Sequence, residues 1–340
     1  TQVTTEVTPV CPGAPTRCTT PGAAINGVEE FFWYRDYNIC NVPNCIFTIT
    51  WTECCRNPSI TSLNNPGGQQ IATNATTLNT NIVPCNSSPQ FSNPPVPYIC
   101  QGQPFTFNQG AFDPEGDSLS YSLGPCYNTL PNTQVTYAAG FSQGSPLGAS
   151  WNVAINASTG DITVTPQPGN LLTAVLCVYV GEWRNGVLIN TIVRDIQMTV
   201  IPCPNNTVPT TPGITNVVGG AATGPFSVTM CAGTQLSLQI PSVDPNVGQT
   251  HTMYWNQNIP GATFTNSNGT QIDTLTGSLP TAYFNWQPLT TGTYTFLITI
   301  RDNSCPIPGQ NQFTVTINVV GGLPGAGITA TPTGCTNVSL

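Results

Sequence analysis

The sequence predicts an all-β protein built from tandem β-sandwich domains, and two patterns support this prediction. Apolar residues alternate with Thr or Asn in runs such as "CIFTITWTECC", "TYTFLITI" and "FTVTINVV", as is typical of strands with one buried face. The 33 prolines and 32 glycines interrupt these runs with turns, so short strands and few helices are expected. A length of 340 residues corresponds to roughly two to four domains.

Individual strands follow from the same alternation. Phe47, Ile49 and Trp51 alternate with threonines, which predicts that all three are buried on one face of a strand. Further along, Asn185 and Gly186 separate two long apolar runs. Asn-Gly accepts the positive φ angles of a type I′ turn, so this dipeptide predicts an antiparallel hairpin.

Charge and cysteine content exclude several classes of function. Only 6% of the residues are charged, against about 25% in ordinary domains, and the net charge is -8. Nucleic acid and anionic membrane surfaces are therefore not expected as partners, because both need a basic patch. Fourteen cysteines without C-x-x-C pairs predict disulfides and an extracellular or cell-surface location. No apolar run approaches the about 20 residues of a membrane-spanning helix.

An internal repeat defines the predicted domains. "CQGQPFTFNQGAFDP" from Cys100 and "CAGTQLSLQIPSVDP" from Cys231 each place an Asp-Pro thirteen residues after the cysteine, and a third copy begins at Cys335. Repeated β units joined by Pro/Gly-rich connections predict beads on a string or a filament. The predicted divisions are domains at 1–88, 89–203 and 204–320, followed by 321–340 as a linker and first strand.

Both chain ends admit two interpretations. The partial repeat at Cys335 and the strand-like start at Thr1 indicate either truncation of neighbouring domains or strands exchanged between subunits. Truncation is preferred because a partial repeat then needs no special mechanism. In either case the expected partners are other copies of this chain or further domains of a longer one.

Five segments resemble a recurring module of very large secreted and cell-surface proteins of Bacteroidota. They are "EVTPVCP", "GVEEFFWY", "WTECCRNPSITSL", "SSPQFSNPPVPYICQGQPFTFNQGAFDPEGDSLSYSL" and "TIVRDIQMTVIPC", spanning Thr5 to Cys203. Such proteins carry PKD-like, immunoglobulin-like and cadherin-like repeats and include gliding-motility-associated and type IX secreted adhesins. Residues 204–320 resemble a PKD-like domain more loosely. The resemblance implies tandem β-sandwiches that act in adhesion, gliding or filament formation without enzymatic activity. It also suggests that the first domain lacks upstream strands.

The segment "AFDPEGDSLSY" brings three carboxylates together, on Asp113, Glu115 and Asp117. Oxygen ligands at alternate positions beside a glycine bend suit Ca²⁺, with Asp195 or Glu182 as further ligands. The alternative is a turn, in which Asp caps, Pro fixes φ and Gly adopts a positive φ. The second copy keeps Asp244 and Pro245 without the other acids, so the turn is the shared feature and calcium is the alternative. No other cofactor is expected.

Catalytic chemistry is not expected. Acids clustered in one turn do not form a carboxylate pair across a cleft. His251 is the only histidine and has no neighbouring Ser, Cys or Asp motif in the sequence, so it is expected to be a surface or half-buried strand residue.

The cysteines give specific pairing predictions. Adjacent Cys54 and Cys55 are expected to point to opposite faces of a strand and to take different partners. Of the three pairings open to the four cysteines of the second domain, one is favoured on the sequence. The predicted disulfides are Cys231 with Cys305, Cys126 with Cys177 and Cys100 with Cys203.

Modification is predicted at short motifs. By the resemblance, "DSL" and "DTL" are Asp-Ser/Thr-apolar acceptors that place O-linked glycans on Ser118 and Thr274. Asn86 and Asn156 begin Asn-x-Ser/Thr sequons, which matter where the host has N-glycosylation.

The leading functional hypothesis is a non-catalytic structural or adhesive segment of an extracellular bacterial surface protein or filament. The alternative is a glycan-binding module of a surface adhesin, in which aromatic residues of Val28–Tyr37 stack on surface sugars. A core strand is the preferred interpretation of that segment, because aromatic strand residues usually pack inside.

Overall fold

The computed structural model describes residues 3–32, 46–83, 85–95, 98–130, 133–165, 167, 171–321, 331–332 and 338–339. The chain divides into unit 1, Thr1–Pro204 with Cys305–Ile307, and unit 2, Asn205–Ser304 with Pro308–Leu340. Apart from a short 3-10 turn at Pro66–Gly68, the regular structure of the described residues is β-strand, so the all-β prediction is confirmed. Within the same residues, no helix is long and apolar enough to cross a membrane. Cys335, residues 33–37 of the segment Val28–Tyr37 and most of 321–340 lie outside the described residues.

Unit 1 contains short strands followed by one long hairpin. Its described strands are β1 (Val3–Glu6), β2 (Glu29–Phe32), β3 (Ile46–Glu53), β4 (Ile71–Asn79), β5 (Gln90–Phe91), β6 (Tyr98–Cys100), β7 (Phe105–Phe107), β8 (Ala111–Phe112), β9 (Ser118–Gly124), β10 (Tyr127–Thr129), β11 (Thr133–Gln134), β12 (Asn152–Ile155), β13 (Ile162–Thr165), β14 (Thr173–Arg184) and β15 (Val187–Ile201).

Two facing sheets form the sandwich of unit 1. The larger has eight strands in the order β11-β10-β4-β15-β14-β9, with β3 also paired to β4 and β6 to β15, and the smaller has the order β12-β13-β7. Side chains of both sheets form one core, because alternate residues of each strand point inward. Its fully buried members include Ile99, Ile162, Val178, Val180 and Ile196.

The hairpin predicted at Asn185-Gly186 is confirmed. Strands β14 and β15 pair antiparallel from Arg184↔Val187 to Thr173↔Thr199. Asn185 has φ 53° and Gly186 has φ 77°, the two positive values that a type I′ turn requires. This hairpin is the centre of the unit, since β4, β6 and β9 all pair with it.

Residues 46–79 add strands to this same sheet, so the predicted boundary between 88 and 89 does not separate two sandwiches. Strand β4 pairs with β15 and β10. Arg56, 2% exposed, fixes the segment by bonding both carboxylate oxygens of Asp195 on β15, at 3.0 and 2.6 Å. A second cluster of buried side chains covers the other face of β14, which explains why Ala174–Val178 are all buried.

Unit 2 is a separate sandwich of similar design. Its strands among the described residues are β16 (Thr215–Val218), β17 (Ala221–Gly224), β18 (Ser227–Cys231), β19 (Leu236–Pro241), β20 (His251–Trp255), β21 (Thr263–Thr265), β22 (Thr274–Gly277), β23 (Thr281–Trp286), β24 (Gly292–Asp302), β25 (Gln310–Val320), β26 (Thr331–Pro332) and β27 (Val338–Ser339). A four-stranded sheet, β16-β19-β23-β21, faces a six-stranded one, β17-β18-β25-β24-β20-β22. Stacked and edge-on rings of Trp255, Phe264, Phe284 and Phe296 fill the core between them.

The two units repeat one chain path. In each, a strand that ends in a cysteine runs parallel to the long last strand: β6 beside β15 in unit 1 and β18 beside β25 in unit 2. The next strand, β7 or β19, belongs to the opposite sheet, and after the Asp-Pro turn β9 or β20 pairs with the penultimate long strand. This parallel pairing of an early strand with the last long strand is repeated in both units, which are immunoglobulin-like sandwiches.

The structure contains the two disulfides favoured for the second predicted domain and corrects the other cysteine predictions. Cys126 is joined to Cys177, and Cys100 to Cys203. Cys305 is joined to Cys11 instead of Cys231, and Cys231 is disulfide-bonded to a different partner. The prediction considered only cysteines of the same domain, whereas Cys305–Ile307 belongs to unit 1.

Cys54 and Cys55 are joined to each other, contrary to the prediction that they take different partners. Strand β3 ends at Glu53, so the alternation of faces that the prediction assumed does not extend to these two residues.

The predicted inward orientation also fails for Trp51, which is 38% exposed. The pairing of β3 with β4 shifts register between Ile49 and Thr50, so the residues beyond the bulge no longer follow the alternation of Phe47 and Ile49.

Candidate functional site

The Asp-Pro turn of unit 1 is held by its own aspartate. Asp113 Oδ1 accepts hydrogen bonds from the backbone N–H groups of Glu115, at 3.0 Å, and Asp117, at 2.9 Å. Gly116 adopts φ 86°, which a side chain at this position would strain. The predicted turn is therefore present, and it directs Asp113 and Asp117 to the same place.

A third carboxylate joins this turn from the hairpin. Asp113, Asp117 and Glu182 each place a carboxylate oxygen within 4.8 Å of the other two, and these three residues are called the carboxylate cluster here. Glu182 is fully buried because it lies two residues beyond Val180 on the core-facing side of β14. The pKa of Glu182 is raised to about 7, chiefly by burial and in smaller part by the negative charge of Asp113.

Three polar residues surround the carboxylate cluster. Asn86 and Asn190 donate to the two oxygens of Glu182, at 2.6 and 3.0 Å. Arg184 binds Asp117 with Nε at 2.9 Å from Oδ1 and Nη2 at 2.5 Å from Oδ2, and this bond lowers the pKa of Asp117. Arg184 and Asn190 were not predicted as site residues, although both flank the hairpin turn, and Asn86 was predicted only as a sequon.

The cluster fits a hard cation in one specific respect. Asp113 Oδ2 is buried and has no hydrogen-bond partner, whereas its Oδ1 serves the turn. Oxygens bound to one Ca²⁺ lie about 2.3–2.6 Å from the ion, so their separations reach about 5 Å, which the spacing of the cluster satisfies. An unpaired buried carboxylate oxygen facing two other carboxylates is the arrangement that a divalent ion would neutralise.

Two of the predicted ligands are placed elsewhere. Glu115 is exposed, and its Oε1 accepts hydrogen bonds from the N–H and hydroxyl of Ser87, at 3.3 and 2.6 Å. Asp195 is paired with Arg56, as described above. Of the two further ligands proposed from the sequence, the structure brings Glu182 to the turn and not Asp195.

Unit 2 has a histidine where unit 1 has the carboxylate cluster. His251 Nε2 lies 3.1 Å from Asp244 Oδ2, and its Nδ1 lies 3.0 Å from Ser242 Oγ; these three residues are called the histidine cluster here. Asp302, 4% exposed, occupies the end of β24 as Glu182 does on β14, and burial raises its pKa. Its oxygens accept from Asn206 Nδ2 and from the backbone N–H of Gly309.

The expectation that His251 is a surface or half-buried residue without nearby Ser or Asp is wrong. His251 is 1% exposed, Ser242 is 4% exposed, and the side chain of Asp244 is 1% exposed. Although the order Ser–His–Asp resembles a hydrolase triad, the Ser242 hydroxyl is enclosed in the sandwich, out of reach of a substrate carbonyl. The contacts instead tie the Asp-Pro turn to β20.

A cavity of about 710 Å³ lies in unit 1, away from the carboxylate cluster. Its wall includes Phe31 and Trp51, which are 48% and 38% exposed. The preferred interpretation of this aromatic segment as a core strand is therefore wrong at Phe31. The cavity is within the range of about 300–1,000 Å³ that is usual for small-molecule sites.

The predicted modification sites differ in accessibility. Ser118 and Thr274 are both exposed, each at the first position of its strand. Asn156 accepts the N–H groups of Ser158 and Thr159 with its side chain and so caps a turn. The amide of Asn86 bonds Glu182 within the site described above.

No protein-family model matches this chain, and no curated protein matches it. Solved structures similar to it include extracellular cadherin domains 3–6 of protocadherin gamma B2, at 16% identity, 68% coverage of this chain, 47% of that chain and TM-score 0.22. Titin Ig tandem domains A164-A165 match at 7% identity, 66% and 93% coverage and TM-score 0.20. An endo-fucoidan hydrolase of glycoside hydrolase family 107 matches at 14% identity, 69% and 29% coverage and TM-score 0.23. The chain thus spans under half of the cadherin and hydrolase structures.

Proposed function

We propose that this chain is a non-catalytic structural or adhesive segment of an extracellular bacterial protein, of the Bacteroidota surface type that its motifs resemble. The observation that carries the proposal is the repeated chain path of units 1 and 2, each an immunoglobulin-like sandwich. Repetition of one sandwich along the chain is typical of proteins that act through their extended length and surface, as structural and adhesive proteins do. Disulfides such as Cys100–Cys203 and Cys126–Cys177 suit an oxidising location.

Calcium belongs to this proposal as a structural ion. Asp113, Asp117 and Glu182 would hold it, and Ca²⁺ would supply positive charge between the Asp-Pro turn and the end of β14. Neighbouring polar side chains hold these carboxylates in place. Arg184 holds Asp117 by a bidentate bond, and Asn86 and Asn190 orient Glu182. The expected role is to fix the turn to the hairpin, with no reaction involved.

Immunogold imaging of intact source cells tests the structural proposal. An antibody raised against this chain should label fibres or a layer outside the cells in negative-stain images. The same antibody applied after cell lysis serves as the control for hidden epitopes. Label confined to the cell interior would contradict the proposal.

A second candidate function is glycan binding by unit 1. The observation that favours it is the cavity with Phe31 and Trp51 exposed in its wall. Exposed aromatic rings offer apolar faces on which a sugar ring can stack. A glycan array probed with the intact chain tests this candidate, and absence of binding to any glycan would remove it.

A further inference from the structure

The cavity of unit 1 has features that define a class of ligand, an inference that rests on the second candidate function. Its wall combines apolar and polar side chains from 27–31, 51–60, 71–73 and 193–197, together with Pro95 and Val175. All of them belong to unit 1. The chemistry of the individual groups decides which ligand the cavity suits.

The apolar part of the wall is a platform of exposed groups. Trp51 is exposed beyond the register shift between β3 and β4, and Phe31 is exposed on β2. Cys55, whose sulfur is bonded to Cys54, lies in the same wall. Rings left exposed beside a cavity favour a ligand with a flat apolar face over a fully solvated ion.

The positive charges of the wall are already engaged. The guanidinium of Arg56 donates to Asp195, to Gln70 O and to Tyr127 O. Arg194 donates to Gln109 Oε1 at 3.2 Å and to Asn93 O at 2.8 Å. Its guanidinium lies 4.2 Å from the centre of the Phe91 ring. Neither arginine therefore offers a full set of donors to an anionic ligand.

The exposed charge of the wall is negative, and the remaining polar groups are amides. Glu29 is exposed and lines the cavity. Its carboxylate disfavours a second anion nearby. Asn57 Nδ2 and Gln197 Oε1 lie 3.4 Å apart in a long, weak contact. Asn57 Oδ1 already accepts the N–H and hydroxyl of Ser59, at 3.0 and 2.7 Å, so Asn57 offers Nδ2 as a donor and Gln197 offers Oε1 as an acceptor to ligand hydroxyls.

We infer that this cavity binds an uncharged saccharide, which stacks on Trp51 and Phe31 and hydrogen-bonds through its hydroxyls to Asn57 and Gln197. Acidic saccharides, whose carboxylates or sulfates need unpaired cations, are the class that the cavity excludes.

Isothermal titration of the intact chain tests the inference with two matched sets of probes. Neutral hexasaccharides of glucose and of mannose form one set, and oligogalacturonate of the same length forms the other. Binding of a neutral probe is expected, with an affinity reduced about tenfold by Trp51→Ala and largely kept by Trp51→Phe. Leu289→Ala removes an exposed apolar side chain of unit 2 and should leave the affinity unchanged.

The possible results distinguish the inference of neutral-saccharide binding from the broader proposal that unit 1 binds glycans. Binding of oligogalacturonate alone, sensitive to Trp51→Ala, would retain glycan binding and overturn the neutral-saccharide inference. Binding of neither set, together with a blank glycan array, would overturn both. Neutral binding that Trp51→Ala leaves unchanged would place the site elsewhere and overturn the inference for this cavity. Circular dichroism of each variant confirms that its fold is retained.

Discussion

Units 1 and 2 share an Asp-Pro turn but satisfy the buried aspartate of that turn in different ways. In unit 2 an imidazole completes the turn, with His251 contacting Asp244 on one side and Ser242 on the other. In unit 1 the corresponding Asp113 keeps a buried oxygen without a partner and faces Asp117 and Glu182. In unit 2 the turn is completed by hydrogen-bonded side chains, whereas in unit 1 the turn lies beside three carboxylates.

The difference shows how one fold can place different chemistry at the same turn, and it underlies the proposal that unit 1 binds a cation. A hydrogen-bonded aspartate oxygen needs no ion, whereas carboxylates brought together out of water repel one another. Both units have a buried acid at the end of the penultimate strand, Glu182 or Asp302. Asp302 accepts hydrogen bonds from a neighbouring amide and backbone groups, whereas Glu182 accepts them from two amides and also faces two other carboxylates.

The largest expected effect comes from removing a disulfide of unit 1, which should destabilise unit 1 and leave unit 2 unchanged. Replacing Cys126 and Cys177 together with alanine removes a bridge across 51 residues of unit 1, whose loop entropy corresponds to about 4 kcal/mol. Hydrogen–deuterium exchange with mass spectrometry should show faster exchange in peptides of β9 and β14 and no change in β24 and β25. Equal acceleration in both units would show that the units do not unfold independently.

Loss of the imidazole should destabilise unit 2 specifically. His251→Ala leaves the buried Asp244 carboxylate without its partner, at a cost of about 3 kcal/mol. Urea denaturation followed by exchange in β20 peptides measures the change. His251→Gln, which retains a side-chain donor, is the matched control and should lose less. A variant as stable as the parent chain would mean that the histidine cluster does not support the turn.

Calcium should stabilise unit 1 and leave unit 2 unchanged. At a free Ca²⁺ concentration of about 100 times the dissociation constant, the expected gain is about 2.7 kcal/mol relative to EDTA. Asp113→Asn should abolish this gain in stability, because it removes the negative charge of Asp113, whose Oδ2 is the unpaired oxygen of the carboxylate cluster. Glu115→Gln alters an acid of the same turn outside the cluster and should keep the full response. A response that both variants retain would exclude the cluster as the site.

The smallest effect concerns Arg184, which competes with a cation for Asp117. Arg184→Gln should lower the stability of unit 1 slightly in EDTA and increase its response to calcium, because the bidentate bond to Asp117 is removed. Calcium titrations of the two proteins, monitored by exchange in β9 peptides, compare the responses. A weaker response in the variant would show that Arg184 positions Asp117 for the ion.

Local features of the fold were predictable because neighbouring residues decide them. Asn185-Gly186 predicts its hairpin, and Asp-Pro predicts its turn, since each depends on φ preferences of residues adjacent in sequence. The repeat at Cys100 and Cys231 likewise revealed that two sandwiches share one path. The predicted inward position of Trp51 failed because a bulge is set by pairing with a distant strand.

The candidate site was only half predictable. Asp113 and Asp117 belong to one motif, but Glu182, Arg184 and Asn190 reach the turn through the pairing of β9 with β14 and of β14 with β15. Prediction of the cysteine pairing was limited in the same way, since Cys305 is joined to Cys11, 294 positions earlier in the sequence. Domain boundaries drawn from composition could not show that β4 belongs to the sheet of β15.

The sequence by itself determined the fold class, the repeated turn and the central hairpin of unit 1, because alternation and φ preference act over a few residues. Tertiary structure alone decided the chemistry of the two turns. Burial at the end of β14 brings Glu182 to Asp113, while burial at the start of β20 brings His251 to Asp244. Desolvation and proximity are properties of the packed chain, and they distinguish a turn that lies beside three carboxylates from a turn that an imidazole completes.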